Sequence, residues 1–194
     1  MNDRTKFIGA SDSPVILGYS KWKTIEELWN EKTGMLIPED ISDKPEIIRG
    51  NEWEPLILDI FRLENKGLEV SGPTFHKHPE FDYLCATLDG SVVENGSIVA
   101  PVEVKTANGF RKTQSGWTDT TVPDAYLIQL MHQMLVTNTD HGYIVVRFFY
   151  PNGGTEKTYK IKRSEELCQK ITTEAVQFWE NVKQLKKPVR KWQF

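Results

Sequence analysis

The sequence predicts an α/β protein in which helices flank a central mixed β-sheet. Segments with apolar residues at helical spacing dominate residues 11–66, and helical segments recur at 123–137 and near the C-terminal end. Between them lie two groups of short runs rich in alternating or β-branched residues, which are typical of strands. This order of helices, strands, helix, strands and helix is expected for helices packed around one sheet.

Two short helices are predicted before residue 35. Residues 11–14 (Ser-Asp-Ser-Pro) combine a capping residue with proline in the first turn, and Gly18 ends this helix. Free backbone N–H groups at its start are able to hold a phosphate, although ordinary capping explains the pattern equally. Thr24 and Glu27 form a capping box for the second helix, which ends at Gly34.

A long helix is predicted from Pro45 to Lys66. Its apolar positions recur at helical spacing, at Ile47, Ile48, Trp53, Leu56, Ile57, Ile60 and Phe61. Glu54 borders this stripe, so its carboxylate needs a partner or a metal ion. Pro55 removes a backbone donor and is expected to kink or restart the helix beside Glu54.

From residue 68 onward the pattern changes to short strands. Asn95 and Gly96 form a strong turn signal, which predicts a hairpin that brings Asp89 near the strand carrying Glu103. Residues 106–122 are predicted to form a loop with a possible helical turn. The predicted strands and later helices are Thr74–Lys77, Tyr83–Leu88, Ser97–Lys105, a helix from Pro123 to Thr137, Gly142–Tyr150, Thr158–Lys162 and a helix from Ser164 to about Lys186.

The composition predicts one domain over residues 1–194, because 39% of the residues are hydrophobic and 11% aromatic. No apolar run of about eighteen residues is present and no apolar signal region follows Met1, so we expect a cytoplasmic protein without a membrane segment. Cys85 and Cys168 are expected to be free buried thiols. The net charge of −3 argues against a coat of basic charge, but a local positive field in a cleft remains compatible with it.

Residues 102–105 (Val-Glu-Val-Lys) carry the main chemical signal. Their alternation predicts a strand with Glu103 and Lys105 on one face and Val104 on the other. Asp89 and Glu103 repel each other unless a cation lies between them, and oxygen ligands favour Mg²⁺. Lys105 would supply a point charge for a phosphate oxygen or an attacking water. The competing interpretation is a surface strand with solvated charges.

Tyr126, Gln129 and Gln133 stand three and four residues apart on the helix that follows, so they share one face. Amides at this spacing are suited to orient a water or a phosphate, or they contribute only surface polarity.

The chain resembles the YqaJ-like viral recombinase family, the lambda exonuclease branch of the PD-(D/E)xK nucleases. The resemblance rests on five segments in order: residues 8–11 (Ile-Gly-Ala-Ser), 49–54 (Arg-Gly-Asn-Glu-Trp-Glu), 88–90 (Leu-Asp-Gly), 102–105 and 126–129 (Tyr-Leu-Ile-Gln). It implies a PD-(D/E)xK restriction-endonuclease-like core. Leu88 replaces the usual proline before the aspartate, which leaves the chemistry of Asp89 intact.

The resemblance also implies roles for individual residues. Glu54, Asp89, Glu103 and the carbonyl of Val104 resemble the ligands of Mg²⁺, for which Mn²⁺ would substitute. Lys105 resembles the residue that orients or deprotonates the attacking water, and Gln129 resembles a glutamine near the scissile bond. The positions that the resemblance places at the 5′-phosphate or DNA are Arg4, Ser11, Thr87 and Tyr126.

The implied activity is Mg²⁺-dependent 5′→3′ exonucleolysis of double-stranded DNA. The products would be 5′-mononucleotides and 3′ single-strand overhangs, made in a bacterial or phage-infected cell for recombination by single-strand annealing. The implied partners are 5′-phosphorylated duplex ends, a single-strand annealing protein and two further copies in a homotrimeric ring. Two alternatives remain: an endonuclease of restriction or repair, and a binding protein that retains the fold without cutting.

Overall fold

The computed structural model describes residues 3–189. Its helices are α1 (Ser13–Ile16), α2 (Ile25–Lys32), α3 (Pro45–Glu64), α4 (Asp124–Thr137) and α5 (Glu165–Lys183). Its strands are β1 (Glu69–Ser71), β2 (Thr74–Lys77), β3 (Cys85–Leu88), β4 (Gly90–Glu94), β5 (Ser97–Asn108), β6 (His141–Tyr150) and β7 (Gly153–Lys162).

The main sheet has five strands in the order β1-β4-β5-β6-β7, and β2 and β3 form a separate pair. β5 and β6 run parallel, from Val102 opposite Tyr143 to Asn108 opposite Phe149. The other pairs of the main sheet are antiparallel. A parallel pair needs a crossover connection, and α4 supplies it between β5 and β6. The predicted mixed sheet flanked by helices is confirmed.

The two faces of the main sheet are covered by different helices, because successive side chains of a strand point to opposite faces. On one face, Val102 and Val104 of β5 pack with Ile57 and Phe61 of α3. The opposite face contributes to a larger cluster with α4 and α5, whose buried members include Leu130, Met134, Ile144, Val146 and Phe178. The central strand β5 therefore carries side chains toward both helical layers.

The predicted hairpin has a different first strand. Asn95 and Gly96 form the expected turn, with φ of 50° and 78°, but it joins β5 to β4 rather than to β3. β3 pairs with β2 instead. The Gly-Ser-Val-Val-Glu run of β4 is short and begins with the glycine that follows Asp89, so its local pattern indicated a turn rather than a strand.

Several predicted boundaries are corrected. β5 continues to Asn108, followed by two 3-10 turns, and β7 begins at Gly153, where an antiparallel partner extends it. α3 is one continuous helix through Pro55, so the expected restart is absent. Ile48 and Leu56 are exposed because α3 turns only the side with Ile57 to the sheet.

Other local predictions are confirmed. The capping box of Thr24 and Glu27 begins α2, and the Ser164 side chain accepts from the Leu167 N–H at the start of α5. Cys85 and Cys168 are buried and free. Among residues 3–189, each helix is either too short or too polar to cross a lipid bilayer.

Candidate active site

Asp89 lies where the chain passes from the two-stranded sheet into the main sheet, between β3 and β4. Its Oδ2 accepts a hydrogen bond of 2.8 Å from the main-chain N–H of Val104 in β5. The next residue is Gly90, where a Cβ would lie 2.7 Å from Cδ1 of Leu58 in α3. Helix α3 therefore packs closely on this junction, and a larger residue would require the Leu58 side chain to shift.

Glu103 is 2% exposed and faces α4 from the middle of β5. Lys105 Nζ and Gln129 Nε2 both donate to its Oε1, and Gln133 Nε2 donates to its Oε2. Val104 packs on the opposite face, against α3. The predicted alternation is thus observed, and the burial of Glu103 rules out a strand with solvated charges.

Lys105 lies between Glu103 and α4, with its Nζ 5.1 Å from the centre of the Tyr126 ring. Burial by itself would lower the pKa of Lys105, but the negative charges of Glu103 and Asp89 outweigh it and the pKa is raised. The ammonium group therefore remains protonated at neutral pH, which makes it a fixed positive charge at the site.

Glu54 and Asp89 line the same cleft, which has a volume of about 310 Å³. Burial raises the pKa of Glu54, the charge of Glu103 raises it further, and Lys105 opposes this. Burial likewise raises the pKa of Asp89 to about 8; Glu103 and Glu54 add to the shift, while Lys105 and the Val104 N–H oppose it. One lysine therefore does not neutralise the three carboxylates.

The donor chemistry of Glu54 and Asp89 in the cleft, and of the neighbouring Glu103, fits a hard divalent cation, because the three side chains offer only oxygen ligands. Burial and the neighbouring negative charges favour the protonated form of Asp89. A bound cation would offset the repulsion in place of this proton. Within residues 3–189, the carboxylates are not gathered into a group of three close enough to hold a metal ion. Glu103 instead accepts hydrogen bonds from Lys105, Gln129 and Gln133, which leaves about one of the four lone-pair positions of its carboxylate open.

Arg4 and Ser11 lie together on the surface, and Arg4 Nη2 donates to Ser11 Oγ over 3.0 Å. The expected helix start has a different form. Residues 10–12 form a 3-10 turn, and the four-residue α1 begins at Ser13 without a hydrogen bond from a capping side chain. Asp12 is instead buried in an ion pair of 2.7 Å with Lys32 of α2. The structure thus brings Arg4 to Ser11 through a side-chain contact.

The two remaining residues of the predicted DNA site, Thr87 and Tyr126, have other contacts. The Thr87 side chain is exposed, and its main-chain carbonyl accepts a hydrogen bond of 3.3 Å from Gln133. Tyr126 is half-buried beneath Lys105 and packs on Trp117, with ring centres 5.5 Å apart.

Two sets of contacts were not predicted from the sequence. Gln133 is fully buried and contacts Glu103 directly; its spacing of four from Gln129 was the available signal. His132 is also fully buried, with Nδ1 2.6 Å from Ser13 Oγ and Nε2 3.1 Å from the carbonyl oxygen of Cys85. Since a carbonyl only accepts, Nε2 carries the proton and Nδ1 accepts from the serine.

Comparisons with known proteins agree with this fold. A protein of Bacillus subtilis (strain 168), described as uncharacterized protein YqaJ, is 30% identical over 178 residues, which are 91% of this chain and 53% of that protein. The chain thus spans about half the length of this curated relative.

Two solved structures share the fold. An alkaline exonuclease from Laribacter hongkongensis has a TM-score of 0.72 at 20% identity, covering 94% of this chain and 91% of that one. A phage related exonuclease from Haemophilus somnus 129PT has a TM-score of 0.63 at 17% identity, covering 92% and 94%. These identities are low, so the likeness is one of fold.

The family assignment rests on the sequence itself. The model of the YqaJ-like viral recombinase domain matches residues 1–140, a stretch that contains all the candidate metal ligands as well as Arg4, Ser11 and Gln129. The chain belongs to the YqaJ-like viral recombinase domain family.

Proposed function

We propose that this chain is a metal-dependent exodeoxyribonuclease that degrades double-stranded DNA in the 5′→3′ direction. The observation that carries the proposal is the ion pair between the buried Glu103 and the half-buried Lys105 beside Asp89, in a site that also contains Glu54. Fold neighbours described as exonucleases support it, and one structure of the Laribacter hongkongensis exonuclease contains dAMP. A deoxynucleoside monophosphate is the product expected from such a reaction.

The residues have separate tasks in this proposal. Glu54, Asp89, Glu103 and the Val104 carbonyl would hold Mg²⁺, or Mn²⁺ in its place, which supplies charge to acidify a water and stabilise the transition state. The raised pKa of Lys105 favours a protonated ammonium that orients the water or a phosphate oxygen, rather than a base that removes its proton. Gln129 and Gln133 hold the Glu103 carboxylate in place.

Recognition of the DNA end is assigned to a second group of residues. The Arg4 guanidinium and the Ser11 hydroxyl are exposed and in contact, which suits them to bind a 5′-phosphate. Thr87 and Tyr126 would contribute to DNA binding nearer Glu103. A 5′-phosphate held in this way would set the polarity of digestion and leave a 3′ overhang for a single-strand annealing protein.

The proposed assembly is a homotrimer in which duplex DNA passes through a central channel. The charge then needs to be positive only along the channel, which agrees with the total of −3. Light scattering of the purified protein is expected to give a mass near three chains, and a strict monomer would remove the channel.

The deciding experiment uses linear duplex DNA labelled at one 5′ end, with and without Mg²⁺, beside a covalently closed circle. The expected result is Mg²⁺-dependent release of labelled mononucleotide while the circle stays intact. Asp89→Ala and Lys105→Ala should each abolish the release and keep the circular-dichroism spectrum. Cleavage of the circle would replace the exonuclease by an endonuclease, and no cleavage with any divalent ion would favour a DNA-binding role.

A further inference from the structure

An aromatic and cationic surface surrounds the end of the main sheet, with Arg49 and Phe149 on the side of α3 and Phe110 and Tyr150 on the opposite side. We call this surface the end platform and define it by Arg49, Phe110, Arg111, Phe149 and Tyr150. It lies where the parallel strands β5 and β6 both end, since Asn108 pairs with Phe149.

The end platform is connected to the catalytic residues through packing. Trp53, the chain neighbour of Glu54, packs edge-on against Phe149 with ring centres 5.1 Å apart. The end platform is also linked to Lys105 along β5, because Asn108 lies three residues beyond Lys105, or about 10 Å along the strand. This distance corresponds to about three stacked nucleotides of a DNA strand.

Phe110 is the most exposed aromatic residue of the end platform, with 72% of its surface in solvent, yet it is held in place. The Asn108 side chain accepts from the Phe110 N–H over 3.0 Å, and the ring packs edge-on against Tyr150 at 5.6 Å. Gly109 makes this possible, since a Cβ there would lie 2.2 Å from the Tyr150 ring. The turn therefore presents a large apolar ring to solvent.

Two arginines provide positive charge beside the rings. Arg49 lies over Phe149, with Cζ 5.6 Å from the ring centre, and Arg111 follows Phe110 on the exposed turn. Among residues 3–189, neither arginine has a carboxylate within 4.0 Å, although Glu46 and Glu52 flank Arg49 on α3. The nearby Arg147 differs, because it is paired with Glu156 and stacked on Trp53.

We infer that the end platform binds an unpaired DNA strand, with Phe110 stacking on a base and Arg49 and Arg111 contacting phosphates. The base faces are buried in duplex DNA, so an exposed aromatic ring is able to stack only on unpaired bases. Arginines without carboxylate partners are suited to bind the phosphates of the same strand. The inference rests on the proposed function, since digestion of one strand of a duplex releases the other as a single strand.

The test measures binding of a fluorescent fifteen-nucleotide oligo(dT) by anisotropy in EDTA, where no hydrolysis occurs. Phe110→Ala is expected to weaken this binding about tenfold and to leave binding of a blunt duplex of equal length unchanged. Phe110→Tyr should retain the wild-type affinity because the ring is kept. Trp22→Ala is the matched control, since Trp22 is 91% exposed on the loop before α2. For Arg111→Gln, the slope of the logarithm of the oligo(dT) binding constant against the logarithm of the salt concentration should decrease in magnitude by about 0.7, because one phosphate contact is lost.

Unchanged oligo(dT) affinity in Phe110→Ala, or an equal loss on the duplex, would overturn the inference. A change of molecular mass in Phe110→Ala would also overturn it, by showing that the ring lies between copies of the chain. Because binding is measured without divalent ions, the outcome is independent of the proposed nuclease activity. If the protein does not cleave DNA but its binding of oligo(dT) depends on Phe110, the inference about the end platform is supported and the proposed exonuclease activity is rejected.

Discussion

The side-chain amide of Gln133 donates to Oε2 of Glu103, and the same nitrogen lies 3.3 Å from the main-chain carbonyl of Thr87. Both partners are acceptors, so the orientation of the amide is determined. Gln133 Oε1 is buried and has no hydrogen-bond partner within the described residues. A buried polar atom without a hydrogen-bond partner destabilises the folded state, so the Gln133 amide oxygen lowers the free energy of unfolding.

The first prediction concerns this contact. Gln133→Leu removes the donor that orients the Glu103 carboxylate and is expected to weaken Mn²⁺ binding about tenfold, because loss of a hydrogen bond that orients a metal ligand typically costs about 10- to 100-fold in metal affinity. Calorimetric titration with Mn²⁺ measures this directly. Gln169→Leu, at an exposed position of α5, is the matched control. Equal Mn²⁺ affinity in the wild type and Gln133→Leu would show that Gln133 does not position Glu103.

Repulsion among the carboxylates provides a second prediction. The pKa of Asp89 is raised to about 8, above its unfolded value of about 4, so stability is lost as the pH rises between these values. Asp89→Asn removes this loss in EDTA. We therefore expect Asp89→Asn to have a higher free energy of unfolding than the wild type. This difference should be at least about 1 kcal/mol larger at pH 8.5 than at pH 5. Urea denaturation measures it, and a gain independent of pH would contradict the stated cause.

A third prediction separates end recognition from general charge. Arg4→Ala should slow digestion of 5′-phosphorylated duplex by about tenfold and affect 5′-hydroxyl ends much less, because a charge-assisted contact to the phosphate is lost. Lys6→Ala is the matched control, as Lys6 is an exposed cation of the same turn that pairs with Asp3. Equal slowing on both kinds of end would remove Arg4 from the 5′-phosphate site.

The buried histidine provides a fourth prediction. Burial lowers the pKa of His132 to about 4, although the Cys85 carbonyl and the charge of Asp12 oppose the shift. Between about pH 4 and 6.5 the unfolded chain binds a proton that the folded chain does not, so stability falls as the pH falls. The wild type should lose about 2–3 kcal/mol from this source between pH 7 and 4.5. His132→Gln should show a smaller loss in urea denaturation, and equal losses would refute the assignment.

Much of the local structure was predictable because its causes lie within a few residues. The capping box at Thr24, the turn at Asn95-Gly96 and the cap at Ser164 each depend on hydrogen bonds or dihedral angles close in sequence. The alternation of Glu103, Val104 and Lys105 placed their side chains on the correct faces for the same reason.

The pairing of strands was less predictable, because it depends on which faces are buried together. β4 looked like a turn when read alone, and its pairing with β1 and β5 makes it a strand. The same pairing leaves Asp89 at the junction of two sheets, where the Val104 N–H can reach its carboxylate.

The sequence by itself determined the α/β class, most helices, and the acidic residues and lysine of the candidate site, since periodicity and residue chemistry are local properties. Only the tertiary structure decided which partners these residues contact. From the sequence, Gln133 was expected either to orient a water or a phosphate or to contribute surface polarity, and its burial against Glu103 follows from the packing of α4 on β5. Likewise, Arg4 meets Ser11 and Phe110 meets Tyr150 through folding, because the energy of each contact depends on residues that sequence spacing does not bring together.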